Sequence, residues 1–512
     1  MITIGLLPLD ERPVNTRYPA MIAAIAGAAL RLPPRSILSA QRHAADCAAL
    51  GAWLEASAPQ LDGLIVSLEM LGYGGLIASR IGDEPAAVVL GRLTVLQTIR
   101  QRFPRLPIYA FSVITRVSNA NDAVEEPEYW AEYGEQLYAY SQLLDRQQQG
   151  QAVAGVLTEL EAALPVRYRR DFLVRRLRNH GVNVSALHLL VAHCFDLLVL
   201  SSDDTSQDGL PARERRWLAE WAALLGLAGG NGQLLMYPGA DEVGCALVAR
   251  LLNQRANTAP TVAVYYAPPE AAANVAAYED QPVEQTVERQ IMAVGGTRWE
   301  AGSEQPPDIW LGVNAPVARR SEWHFAYAEA ERTARGPALK ILLAQARQRQ
   351  MAGQAVAIAD VAYPNGADPA LIALLQDELD VSALTAYGAW NTAGNTIGTV
   401  LAQASTARLI NSAAGQAAQD VFLLHRFVED WGYQHIVRAE VRAWLKANYG
   451  TTEPDDATRA ATLARIEIGL NTLMAQLPGF AGRYRLIPGS TTLPWGRTFE
   501  VDFALELLKG GG

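Results

Sequence analysis

Nine short, continuously apolar runs set the tightest limit on how this chain folds. They cover residues 2–9, 63–68, 107–113, 197–201, 233–237, 261–266, 309–313 and 355–359, with a shorter run leading to Tyr387. Each ends in a polar or glycine-bearing turn, and Ala/Leu-rich amphipathic stretches lie between them. Runs that do not alternate apolar with polar residues read as strands covered on both faces, which is the environment of a parallel sheet packed by helices. Eight such βα units suit a (β/α)8 TIM-like barrel. The ninth run and the uneven spacing leave an open doubly wound parallel sheet as the alternative.

On this reading residues 1–398 form a barrel-type catalytic domain, and residues 399–512 form a mostly helical C-terminal domain. Between about residues 119 and 195 there is no strand signal, only a polar helical region that includes Gln147, Gln148 and Gln149. Such an excursion offers a lid or a dimer surface, so a homo-oligomer fits the pattern. At 512 residues, 50% of them hydrophobic, the chain can bury a large core.

Composition narrows the partners. The net charge is −10, and no Lys/Arg run is long enough to track phosphates, which argues against nucleic acid. The basic cluster Arg167, Arg169, Arg170, Arg175, Arg176 and Arg178, at helical spacing beside Asp171, reads as a solvated or ion-paired helix face. Cys47, Cys194 and Cys245 are far apart, so neither disulfides nor a structural zinc site is expected. The amino terminus reads as a buried strand without a charged leader, and the apolar stretch 21–30 is too short to span a bilayer. A cytoplasmic protein with no membrane partner is expected.

Ligands of parallel α/β folds bind where the strands end. The strand ends here carry Asp10, Arg12, Glu69, Tyr73, Arg116, Asp203, Asp204, Asp241, Glu242, Asn314 and Asp360, which a barrel would bring to one rim. Asp203 and Asp204 end the fourth run. Two adjacent carboxyls in a partly dry site cannot both stay ionised cheaply, so their pKa values separate and one can act as an acid near neutral pH. Capping of the next helix is the simpler explanation of a single Asp at such a place. Trp390, Asn391 and Asn395 combine an indole face with carboxamides, a mixture that holds sugar rings. The seven histidines include no HExxH arrangement, and there is no GxSxG elbow, Walker loop or GxGxxG turn, so no cofactor or metal is called for.

The segments Leu7-Pro-Leu-Asp-Glu-Arg-Pro13, Leu71-Gly-Tyr-Gly-Gly-Leu-Ile-Ala-Ser-Arg80, Gly239-Ala-Asp-Glu242, Trp390-Asn-Thr-Ala-Gly-Asn395 and Pro494-Trp-Gly-Arg-Thr-Phe-Glu500 together resemble a bacterial family that carries a domain-of-unknown-function label. The likeness spans nearly the whole chain and implies no activity. The acid pair at a strand end is also loosely similar to that of TIM-barrel, substrate-assisted β-N-acetylhexosaminidases. That resemblance implies that Asp203 orients the substrate's 2-acetamido group and that Asp204 is general acid and then base. Asp241-Glu242 resembles the same device one unit later, and on this reading it contacts sugar hydroxyls instead.

Three functions follow as expectations. The first is an exo-acting glycosidase that removes a terminal GlcNAc or GalNAc, with a small-molecule carbohydrate as its partner. The second is a hydrolase or lyase in which Asp10, Glu69, Asp203, Asp204 and Asp241 hold Mg²⁺ or Mn²⁺. The third is a non-enzymatic sugar-binding protein.

Overall fold

The computed structural model describes residues 1–227, 232–317, 323 and 328–508. It divides into two compact units. The first comprises Met1–Glu11, Ala28–Leu247 and Tyr278–Asp280, and the second comprises Arg12–Gly27, Val248–Ala277 and Gln281–Gly512.

All nine apolar runs are strands, but they belong to two separate sheets. In the first unit β1 (Thr3–Leu7), β2 (Ala29–Arg31), β3 (Gly63–Ser67), β4 (Ile108–Ile114), β5 (Leu197–Ser202) and β6 (Leu234–Pro238) lie in the order β2-β1-β3-β4-β5-β6, every pair parallel. In the second unit β7 (Thr261–Ala267), β8 (Thr297–Arg298), β9 (Ile309–Asn314), β10 (Ala355–Asp360) and β11 (Ala386–Gly388) lie in the order β11-β10-β9-β7-β8, again all parallel. Each unit therefore starts with a strand that sits between its second and third. This is a doubly wound order with one switch point, between β1 and β3 in the first sheet and between β7 and β9 in the second.

The closed barrel expected over residues 1–398 is thus not formed, and the open-sheet alternative describes the chain. A barrel gives every strand two neighbours. Here β2, β6, β8 and β11 have one each. Two of these edges are very short: Thr297–Arg298 is polar, and Ala29–Arg31 begins at the end of the apolar stretch 21–30 and does not stand apart from it. Without them the count looked like one ring instead of two sheets.

Continuous hydrophobicity does report burial on both faces. Leu64, Val66, Ile108, Ala110, Leu198 and Leu200 are fully buried and pack with Leu50, Leu54, Leu93, Leu96, Val182 and Leu187 from the covering helices. In the second unit Trp310, Val356 and Ile358 pack with Leu342, Leu343, Leu371, Leu375 and Phe427. Residues 399–508 add further helices and the antiparallel hairpin β12 (Tyr484–Leu486) and β13 (Leu505–Leu507), and they cluster with the second sheet.

The excursion consists of helices Trp130–Gln148, Ala154–Ala163 and Val166–Val191, with a small core of Trp130, Leu137, Tyr140, Leu157, Leu164 and Phe172. Its basic cluster is not simply a solvated face. Arg176 is buried with its Nε 2.9 Å from Glu214, and Arg178 turns inward to donate to the Gly82 and Ser79 carbonyls at 2.7 and 2.6 Å.

Leu200 lies on β5, an inner strand of the first sheet, with no exposure. Leu200→Ala is expected to lower unfolding free energy by about 2–5 kcal/mol, since the covering helices cannot close the cavity fully. Equilibrium urea denaturation reads this, and a loss below about 1 kcal/mol would contradict the packing described.

Candidate functional site

The polar character of the first sheet's carboxyl edge begins with unequal strand lengths. β3 stops at Ser67, paired with Phe111, while β4 continues to Ile114 beside Ser202 of β5. A helix, Leu68–Tyr73, starts at once, with the Ser67 hydroxyl accepting from Met70 N–H. Its Glu69 then takes over the missing strand's role. The carboxylate accepts from Val113 N–H and the Ser112 hydroxyl, both at 2.8 Å, and from the Ser67 hydroxyl at 3.2 Å. Burial pushes the Glu69 carboxyl up to about 7 despite these donors. Glu69 braces β4.

Beyond β4 and β5 two arginines and four carboxylates form one network. Arg80 donates to Glu125 at 2.7 Å and to Asp203. Arg116 donates to Asp204 at 2.8 Å, to Glu125 at 3.0 Å and to Glu126 at 3.4 Å. Glu125 bridges the two guanidiniums. Two cations cannot balance four ionised acids in a buried setting, so the network should retain protons. Burial raises the pKa of Glu126, and burial together with the Asp203 charge raises that of Asp204. Glu125 and Glu126 were not singled out from sequence, although two adjacent acids after the third apolar run were a visible signal.

Asp204 sits in left-handed backbone, φ +37°, on the wall of a small cleft of about 70 Å³. A non-glycine residue held there points to a local constraint. Arg116, Asn119, Tyr138, Gln142, Ser206 and Tyr278 supply the other main polar contacts of this cleft. Tyr278 is also left-handed, φ +61°, and its carbonyl accepts from Thr205 N–H at 2.8 Å. The excursion helix Trp130–Gln148 fixes the loop after Asp204. Gln142 donates to the Ser206 hydroxyl and the Asp208 carbonyl at 2.9 and 2.7 Å, and Arg146 pairs with Asp208 at 2.8 Å. The excursion is a wall of the cleft.

The residues expected on one rim divide between the two sheets. In the first unit Asp10 is buried after β1, and Tyr73 lies under the Arg178 guanidinium, 4.8 Å from its ring centre. Asp241 and Glu242 are buried after β6. The Glu242 carboxylate folds over Gly239, φ +132°, so closely that a Cβ there would meet Oε1 at 2.5 Å. Arg12, Asn314, Asp360, Trp390, Asn391 and Asn395 belong to the second unit. There Arg12 lies 3.7 Å from Glu500 and 4.4 Å from the Trp495 ring centre.

At the second sheet's edge, Asn314 donates to Asp360 at 2.8 Å and to Asp368 at 3.1 Å, and it accepts from Arg335. Asp368 N–H donates to Asp360 at 2.6 Å. Burial and the neighbouring Asp368 charge raise Asp360 to about 7. Asn391 is left-handed, φ +64°, and Asn395 donates to the Thr392 hydroxyl at 3.1 Å.

The acids considered for Mg²⁺ or Mn²⁺ are not gathered. Among the described residues no three His, Cys, Asp or Glu side chains form a group suited to a metal ion. Also among the described residues, no helix is long and apolar enough to cross a membrane.

Fold and site together define an α/β protein of two doubly wound parallel sheets, with a buried arginine–carboxylate network beside a cleft at one strand edge. The chain belongs to the family described as "Protein of unknown function (DUF4127)", whose model matches residues 4–504. No curated protein and no solved structure matches it.

Glu69 gives a pH test of the frame. Its folded pKa of about 7 lies above its ordinary 4.5, so its contribution to stability is fully present below about pH 4.5 and is lost as pH rises through about 7. The expected loss is about 3 kcal/mol. Glu69→Gln keeps an acceptor for Val113 and should remove this part of the slope. Urea denaturation of both proteins between pH 5 and 8 measures the difference, and parallel profiles would contradict the burial of Glu69.

Proposed function

We propose that the first unit's cleft is the active site of an exo-acting, retaining β-N-acetylhexosaminidase working on a small cytoplasmic glycoside. The supporting observation is Asp204, left-handed on the cleft wall, its pKa raised by burial and by adjacent Asp203. In the proposed reaction the acetamido carbonyl oxygen attacks C1 as the glycosidic bond breaks, and Asp204 gives its proton to the leaving oxygen. Asp203, fixed by Arg80, accepts from the acetamido N–H. Water then attacks C1, Asp204 takes its proton, and the acetamido group is released. The cleft's Asn, Gln, Ser and Tyr groups suit sugar hydroxyls.

One observation favours a binding protein as the second reading. Both acids already hold guanidinium partners, as binding groups at rest would. Under that reading sugar raises thermal stability without turnover, and the effect persists in Asp204→Asn.

Aryl N-acetylhexosaminides of gluco and galacto configuration test the glycosidase. Asp204→Asn is expected to lower kcat by about 10²–10⁴-fold, the usual contribution of a positioned acid–base group, with sugar binding largely kept. In the wild type kcat/KM should fall as pH rises through the raised Asp204 pKa, because the acid must carry its proton. No wild-type turnover of any of these glycosides would overturn the proposal.

A further inference from the structure

At the carboxyl edge of the second sheet, the loops after β10 and β11 are drawn into one hydrogen-bonded assembly by the π-helix Phe427–Val437. The Asp430 carboxylate accepts from Ala389 N–H at 2.8 Å, just before Trp390, and the Asp430 carbonyl accepts from Ala367 N–H at 3.0 Å, just before Asp368. Asn365 N–H donates to the Asn391 carbonyl at 3.0 Å, joining the two loops directly. Gln434 donates to the Phe499 carbonyl at 2.7 Å, and the Phe499 ring lies 6.2 Å from that of Trp390. π-Helical turns concentrate at functional sites because they widen the helix at a chosen place. This one carries Glu429 and Asp430, both fully buried and both bonded to Arg426.

Strand register puts the key side chains on one face. Asp360 pairs with Asn314, and Tyr387 pairs with Ile358, two residues before Asp360, so Asn314, Asp360 and Tyr387 share a side of the sheet. Asn314 ends β9, which borders the switch point where ligands enter open α/β sheets. The Tyr387 hydroxyl, the Trp390 indole N–H and the Arg335 Nε–H have no hydrogen-bond partner among the described residues, nor does the Arg426 Nε–H. Tyr387 has no exposure, and Trp390 and Arg335 have 5% each. Leaving such donors unmet is costly, which points to an acceptor that they are built to receive.

We propose that this edge is a second binding site, taking a neutral polyhydroxylated ring such as a monosaccharide, with the Tyr387 hydroxyl and the Trp390 indole N–H as donors and Asp360 as acceptor. An anion is disfavoured beside Asp360 and Asp368, adjoining carboxyls that share Asn314 as a donor and have Arg335 as the cation bonded to Asp368. A sugar hydroxyl supplies both lone pairs for the donors and a proton for the carboxylate. The site stands independently of the glycosidase reading of the first unit.

Calorimetric titration of the full-length protein with glucose, galactose, mannose, N-acetylglucosamine, N-acetylgalactosamine and inorganic phosphate tests it. At least one sugar should bind, phosphate should not, and Tyr387→Phe and Trp390→Phe should each weaken that sugar about five- to tenfold, the size of one lost hydrogen bond. Tyr387→Phe deletes a hydroxyl without a partner, so its thermal midpoint should not fall, which separates lost binding from lost fold. Absence of sugar binding, unchanged affinity in either aromatic variant or preference for phosphate would overturn the second site. Sugar binding that neither aromatic variant weakens would leave the first unit's site standing. Tyr387- and Trp390-dependent binding in a protein that turns over no glycoside would do the reverse.

Discussion

Arg80 and Arg116 are the groups on which the first unit's site depends. Each carries its charge into a place where only carboxylates can balance it, and Glu125 ties the two together. Burying an ion without a partner costs several kcal/mol. The arginines therefore fix Asp203 and Asp204 in position, while burial and the Asp203 charge push the Asp204 pKa up against their pull.

The second unit repeats this economy with different residues. Glu429 is raised to about 8 and Asp430 to about 6, in both cases chiefly by burial, while the Arg426 charge acts in the opposite direction. Tyr18 donates to Glu429, and Arg426 lies over the Tyr18 ring at 4.1 Å. Neighbouring His425 stacks on Phe503 at 4.2 Å, and burial and nearby arginines lower its pKa well below the ordinary value. In both units burial pushes carboxyls up while their arginines pull them down.

Much of the fold was legible because burial on both faces writes itself into sequence as an uninterrupted apolar run. All nine long runs became strands, and their polar ends became the two edges. Pairing was not legible. Ala29–Arg31 and Thr297–Arg298 are edge strands with little to bury, and without them nothing in the runs marked the break between β6 and β7. The site was legible as residue types but not as partners. Asp203, Asp204 and Arg116 stood out at strand ends, whereas Glu126 joins them only through folding of the loop after β4. Arg426, Glu429 and Asp430, at i, i+3 and i+4, lie at no strand end and were not singled out; tertiary packing buries all three.

The raised pKa of Asp204 is the point at which frame, electrostatics and proposed chemistry meet. Protein labelled with ¹³C at aspartate carboxyls, compared with Asp204→Asn to assign the missing resonance, measures it directly. A resonance titrating above the ordinary aspartate range, and moving lower when Asp203 is replaced by Asn, is the expected result. Titration at or below the ordinary range would mean that Asp204 is a permanently ionised partner of Arg116, and the acid–base role would fall with it.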